Sequence, residues 1–175
     1  DCWPFTGHCA HFDLIKCYKW KNICHNCPQV NIYPKSIKDR SSKNYIIKKK
    51  LFVGIIPILK IVSPSEWLQD LVAQSFLKKA DTCVIRNGLD IMVFKPRRSN
   101  LRAKYNLYDI KIILGVASVW DKRKGLEDFI RLSQKLEKGY IIVLIGLGGK
   151  ELEMVEGLGI IGIKQTDNAI ELAEW

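Results

Sequence analysis

The stretch "GVASVWDKRKGLEDFI", residues 115–130, decides how the fold is read. It closes an apolar run, Ile112-Ile113-Leu114, with small residues. Trp120 and Asp121 follow, then Lys122, Arg123, Lys124 and Gly125, and after the glycine come apolar residues at helical spacing. A short apolar strand that turns at once into an amphipathic helix is half of a β–α–β unit. The first turn of such a helix already carries positive partial charge. Three added cations therefore cost stability unless an anion joins them, and that combination marks a candidate anion site. A solvated lysine-rich turn is the plain alternative.

Outward from this stretch the alternation continues. A strand is expected over 111–116 and a helix over 125–138, with Leu126, Phe129, Ile130 and Leu136 on one face and Gly139 as its stop. A strand over 140–145, a short helix over 150–155, a strand over 159–163 and a last helix capped by Asp167 complete this half. Toward the N-terminus, 94–106 is polar and basic (Lys95, Arg97, Arg98, Arg102, Lys104) and contains Pro96, as a linker would. A strand is expected over 58–62, then a helix to about Leu77 with Ser63 as N-cap, Pro64 in its first turn and Glu66 closing a capping box. A strand over 82–85 ends at the turn signal Asn87-Gly88. A short helix is expected over 44–52, and residues 1–30 lack periodicity. Strands alternating with helices give an α/β class with parallel sheets and right-handed crossovers, where ligands bind at the carboxyl ends of the strands. The second glycine-rich turn, Gly146-Leu147-Gly148-Gly149, follows a strand in the same way. Glu151 stands where a dinucleotide fingerprint needs its third glycine, which disfavours a Rossmann dehydrogenase.

The formal net charge is +10, unevenly spread: residues 1–60 hold eleven Lys and Arg against three Asp, while 151–175 are acidic. Such a field suits phosphate, nucleic acid or an anionic membrane surface. With 47% hydrophobic residues the chain is too apolar for disorder. Its longest apolar run, 51–59, is short of a membrane span and broken by Gly54 and Pro57. No initiator Met or signal-peptide pattern opens the chain, which reads as an internal piece of a longer protein.

Cys9, Cys17, Cys24 and Cys27 fall within nineteen residues, interspersed with His8, His11 and His25. Four thiolates can complete a tetrahedral zinc shell, and Cys24-His25-Asn26-Cys27 is a close pair of the usual kind, although the spacing of Cys9 and Cys17 is not that of a standard finger. Disulfides and free thiols remain open at this level. Cys83, in a strand, reads as a small buried apolar residue. All three histidines lie in this cluster, so no catalytic triad is visible, and no pair of carboxylates is spaced for acid–base work. A zinc-bound basic module that binds nucleic acid is the rival from a non-enzymatic class. It is weakened because no aromatic–basic stacking pattern lies outside the first thirty residues.

Several motifs also support a resemblance. Asp1-Cys2-Trp3-Pro4-Phe5-Thr6-Gly7-His8-Cys9, Cys17-Tyr18-Lys19-Trp20-Lys21 and Cys24-His25-Asn26-Cys27-Pro28 resemble the first-domain signature of bacterial group 1 (family 4) glycosyltransferases of the exopolysaccharide, colanic-acid-type subgroup. Residues 61–68, 84–90 and 115–126 are similar to further motifs of the same family, so the likeness spans essentially the whole chain.

The resemblance implies a GT-B architecture of two Rossmann-like domains. Residues 1–93 would be the C-terminal part of the acceptor-side domain, 94–109 the linker, and 110–175 the N-terminal part of the nucleotide-sugar donor domain. It implies transfer of a sugar from a nucleotide-sugar donor to a saccharide or lipid-linked acceptor, in the cytoplasm at the inner membrane face. No catalytic metal and no nucleic acid are expected. Ser118, Arg123, Lys124 and Gly125 would hold the donor diphosphate, and Gly146 and Gly148 would border the nucleotide pocket. The sequence departs from the family at Ser118, where most members carry Arg. The family's acidic motif would lie beyond Trp175 and its first-domain histidine before Asp1, so the catalytic residues are unassigned and this piece alone is expected to be inactive.

Overall fold

The computed structural model describes residues 2–175; Asp1, the first residue of the Cys-rich motif, lies outside them. The chain is α/β and divides into two compact units, one up to Gly88 and one from Leu89. Its five strands form two small parallel sheets. β1 (Lys60–Ser63) pairs with β2 (Asp81–Val84), and the other three strands stand in the order β3-β4-β5. These are β3 (Lys111–Val116), β4 (Tyr140–Leu147) and β5 (Ile160–Lys164).

In the second unit β4 is the central strand, and its sequence shows why. Its run Ile142-Val143-Leu144-Ile145 is buried without alternation, as a strand covered on both faces must be. α4 (Leu126–Ser133) and α5 (Gly149–Val155) lay Leu126, Phe129, Ile130, Leu152 and Val155 on a core with Trp120, Ile142, Leu144 and Leu147. Leu136 joins this core from outside the helix, because α4 ends at Ser133 and not near 138. Ser133 Oγ donates to the carbonyl of Ile130 at 2.8 Å, a local bond that competes with continued helix. Gly139, at φ 93°, then turns the chain into β4.

β4 runs two residues beyond the expected end, through a register shift between Ile145 and Leu147 that falls on Gly146. α6 (Ala169–Glu174) is capped by Asn168 in place of Asp167: its Oδ1 accepts from the amides of Ile170 and Glu171 at 3.0 and 3.2 Å. The basic stretch after Phe94 carries a single helical turn, α3 (Leu101–Lys104). Arg102 Nη1 donates to the carbonyls of Leu107 and Ile110, so one cation of this basic stretch is spent holding the approach to β3.

The first unit contains α1 (Ser41–Gly54) and α2 (Glu66–Ala73). Ser65, not Ser63, caps α2, accepting from the Leu68 amide at 3.2 Å. Pro64 disfavours helical backbone at the residue before it, which leaves Ser63 extended as the buried last residue of β1. The helix stops at Ala73 because Ser75 folds the chain, donating to the Val72 carbonyl and accepting from the Leu77 amide. β1 begins only at Lys60, since Ile56–Ile58 form a 3-10 turn. Cys83 is exposed, contrary to the expectation of a buried residue. It stands opposite Val62, itself exposed, on a face of the two-stranded sheet that no described element covers. Residues 2–30 hold two 3-10 turns and otherwise irregular chain, yet Cys2, Phe5, Cys9, Phe12 and Trp20 share one core with Leu71, Val72 and Leu77. Among the described residues no helix is long and apolar enough to cross a membrane.

Two glycines separate requirement from convenience. Gly146 has φ 90°, and a Cβ there would penetrate the Ala117 carbonyl oxygen, whereas Gly149 faces open space. Gly146→Ala should cost at least roughly 1–3 kcal/mol from the backbone conformation alone, while Gly149→Ala should be neutral or stabilise by up to about 1 kcal/mol. Urea unfolding followed by circular dichroism checks this, and equal midpoints for the two variants would contradict it.

Candidate functional site

The loop after β3 is held by apolar packing before any charge is placed. Trp120 is buried, lies edge-on to Phe129 with centroids 5.6 Å apart, and donates its indole N–H to the Ile145 carbonyl at 3.0 Å. That placement needs a glycine beneath it: a Cβ on Gly115 would stand 2.9 Å from the Trp120 ring and 2.7 Å from Leu144. Gly146 in turn lets the end of β4 meet the backbone of Ala117 and Ser118. The carboxyl ends of two adjacent parallel strands thus bring Ser118 and Gly146 together.

Trp120 delivers Asp121, and Asp121 organises the basic turn. Its Oδ1 accepts from the amides of Arg123 and Lys124 at 2.9 and 3.0 Å, and its carbonyl accepts from the amides of Lys124 and Gly125. The Arg123 guanidinium pairs with Oδ2 at 3.5 Å. Gly125, at φ 75°, then starts α4. The backbone amides of Arg123 and Lys124 therefore face Asp121. The signal was in the sequence, since an Asp whose side chain bonds the backbone two residues on is a common turn device. Lys122 and Lys124 are exposed and take part in none of the four ion pairs recorded for the described residues. Gly148 stands just before α5, with the Glu151 carboxylate 2.7 Å from where its Cβ would be. A side chain thus lies over the second glycine-rich turn.

The thiols form a second cluster, in the first unit. Cys9, Cys17, Cys24 and Cys27 line one cavity of about 10 Å³, together with His8 and Trp20. Gly7 makes the approach possible: a Cβ there would enter the Ser41 carbonyl oxygen and stand 2.7 Å from Cys24 Cβ. Instead the Gly7 amide donates to Cys24 Sγ at 3.2 Å. Burial pushes the Cys9 thiol up to about 12, and the neighbouring thiols of Cys27, Cys24 and Cys17 add to it. Burial likewise raises Cys24 and Cys27.

Lys48 reaches this cluster from α1. Its ammonium donates to the carbonyls of Trp3 and Thr6 at 2.7 and 3.0 Å and stands 3.4 Å from the Trp3 ring centroid. Burial lowers its pKa to about 8, against the opposing pull of Cys24 and Cys9. All six cysteines are free thiols. Among the described residues no group of three or more His, Cys, Asp or Glu is placed to hold a metal ion. A larger, open groove of about 700 Å³ lies beside α1, with Lys38, Arg40 and Lys43 on its lining.

No known protein family, curated protein or solved structure matches the chain.

Trp120→Ala should cost about 3–5 kcal/mol, the range for removing a buried aromatic. Thermal unfolding by circular dichroism measures it. A loss below 1 kcal/mol would mean that the loop is held by something other than the indole.

Proposed function

We propose that the chain is part of a nucleotide-sugar-dependent glycosyltransferase of the bacterial group 1 (family 4) kind, built on the GT-B plan, that transfers a sugar to a saccharide or lipid-linked acceptor in cell-surface polysaccharide synthesis. One observation carries the reading. At the carboxyl ends of β3 and β4, a small-residue loop at Ser118, a basic turn at Arg123 and Lys124, and the close approach at Gly146 belong to one rigidly packed corner. Ligands of parallel α/β sheets bind at such ends. The motif resemblance supplies the identity of the anion, a donor diphosphate.

The chemistry follows from charge. When the bond from the sugar to the diphosphate breaks, negative charge builds on the leaving phosphate, and cations fixed in place beforehand stabilise that charge without reorganising. Lys124 is exposed at the turn and available to do so. Arg123 can exchange its exposed partner Asp121 for phosphate at small cost, since such pairs are worth about 0–1 kcal/mol. Ser118 and the glycines admit the ligand close to the backbone. The first unit would carry the acceptor side, and the basic surface of 35–60 would favour an anionic bilayer, each cation near it contributing on the order of 1 kcal/mol.

Titration with UDP and GDP tests the donor site. Charge-assisted hydrogen bonds contribute roughly 1.5–3 kcal/mol each, so Lys124→Ala should weaken diphosphate binding roughly ten- to a hundredfold. Lys122→Ala should matter less, because the family motif places its weight on the Arg123-Lys124-Gly125 step. Unchanged affinity in a normally folded Lys124→Ala variant would defeat the proposal. Salt-dependent binding of single-stranded nucleic acid without any response to the nucleotides would favour the nucleic-acid module instead.

A further inference from the structure

We propose that Cys9, Cys17, Cys24 and Cys27 bind one structural zinc ion in the first unit, with the Gly7 amide, His8, Trp20 and Lys48 as an outer shell that answers the charge of the thiolates. The inference stands on the cavity and not on the donor-site reading.

Four thiols from three separate turns of irregular chain meet around a single space of about 10 Å³. That is about the room of one water molecule or less, too little for an organic ligand and enough for an ion. Zinc favours four sulfur ligands in a tetrahedron, and structural sites are closed in this way. The residues between the thiols fit the task. Asn26, at φ 44°, makes the tight bend between Cys24 and Cys27, and Gly7 brings the Cys9 turn against Cys24. The four thiols do not stand at ligand geometry in the structure, and irregular chain can rearrange to bring them there more readily than a helix or strand.

The donors around the cavity carry the argument further. Four thiolates on a divalent ion leave a net charge of −2, and such a centre is stabilised by hydrogen bonds to its sulfurs. One is already drawn, from the Gly7 amide to Cys24. Two more ring nitrogens are buried without a partner: His8 Nε2, on a residue 7% exposed, and the Trp20 indole Nε1, a donor, on a residue 1% exposed. Both residues line this same cavity. Buried donors without partners are rare and call for an explanation. Zinc-bound thiolates would offer these nitrogens acceptors, and the Lys48 ammonium, held by the carbonyls of Trp3 and Thr6, places positive charge beside the Cys-rich turns. Metal binding releases the four thiol protons, so the cost of ionising buried thiols is met by the ion itself.

The full chain, purified without chelator, should hold about one zinc by elemental analysis. After chelation, titration with Co²⁺ should give the intense sulfur-to-cobalt absorption of a tetrahedral four-thiolate site. Cys24→Ser/Cys27→Ser should abolish that signal, while Cys2→Ser and Cys83→Ser should retain it. His8→Ala should keep the four-sulfur spectrum and weaken affinity roughly ten- to a hundredfold, as removal of outer-shell partners does. The proposal is overturned if the wild-type chain holds no metal and its four thiols are alkylated in the native state as fast as Cys83. Disulfides among the four, or a cobalt spectrum without sulfur ligation, would overturn it equally.

Discussion

The hydrogen bond from the Trp120 indole to the Ile145 carbonyl ties the loop after β3 to the end of β4, and the candidate donor site depends on that tie. A buried indole with an edge-on aromatic neighbour is worth several times an exposed ion pair. The geometry of the basic turn is therefore set by packing and by the hydrogen bonds of Asp121 to its backbone amides, and the Arg123–Asp121 ion pair merely uses it. This ordering matters for function. The strong interactions hold the backbone still, while the weak one occupies the cation that a ligand would claim. A turn built the other way round, with its shape resting on the ion pair, would lose its shape on binding an anion.

The first unit faces a different constraint. Its sheet has two strands of four residues each, too little to be stable by itself. The core comes instead from the Cys-rich segment, where Phe5 and Phe12 flank Trp20 at 4.9 and 5.1 Å and the Tyr45 hydroxyl closes over the Trp20 carbonyl. An irregular segment that forms half a core has little secondary structure to fix it, so its turns must be pinned by side chains. The thiol cluster sits where those turns converge.

The sequence was most informative where local chemistry and global fold agree. The apolar run at 140–145 announced a strand, and the alternation of strands and helices announced a class with parallel sheets. Helix ends were less legible, because Ser63, Ser65, Ser133, Asp167 and Asn168 are all plausible caps or stops, and tertiary placement chooses among them. The role of Asp121 was illegible for a related reason: it is spent on the backbone of its own turn, and the three cations beside it dominate the local composition. Cys83 misled because strand membership argues burial only when both faces are covered, and the neighbours in sequence do not tell which face is. The convergence of four thiols on one cavity was legible in the spacing, but the unpartnered ring nitrogens of His8 and Trp20 beside it were not, since in the sequence both look like ordinary core residues.

The two clusters answer one electrostatic problem with opposite signs. At the basic turn the chain provides its own anion, Asp121, which satisfies two amides firmly and one guanidinium loosely. At the thiol cluster it provides its own cation, Lys48, stripped of much of its water and held by two carbonyls and the Trp3 ring. Burial alone favours the neutral amine there, as the fall to about 8 reflects. Carbonyls and an aromatic face favour the charged form, so the lysine is placed between two tendencies and the charge beside it decides. An internal counter-charge of this kind makes each concentration of charge or polar groups tolerable within its own unit.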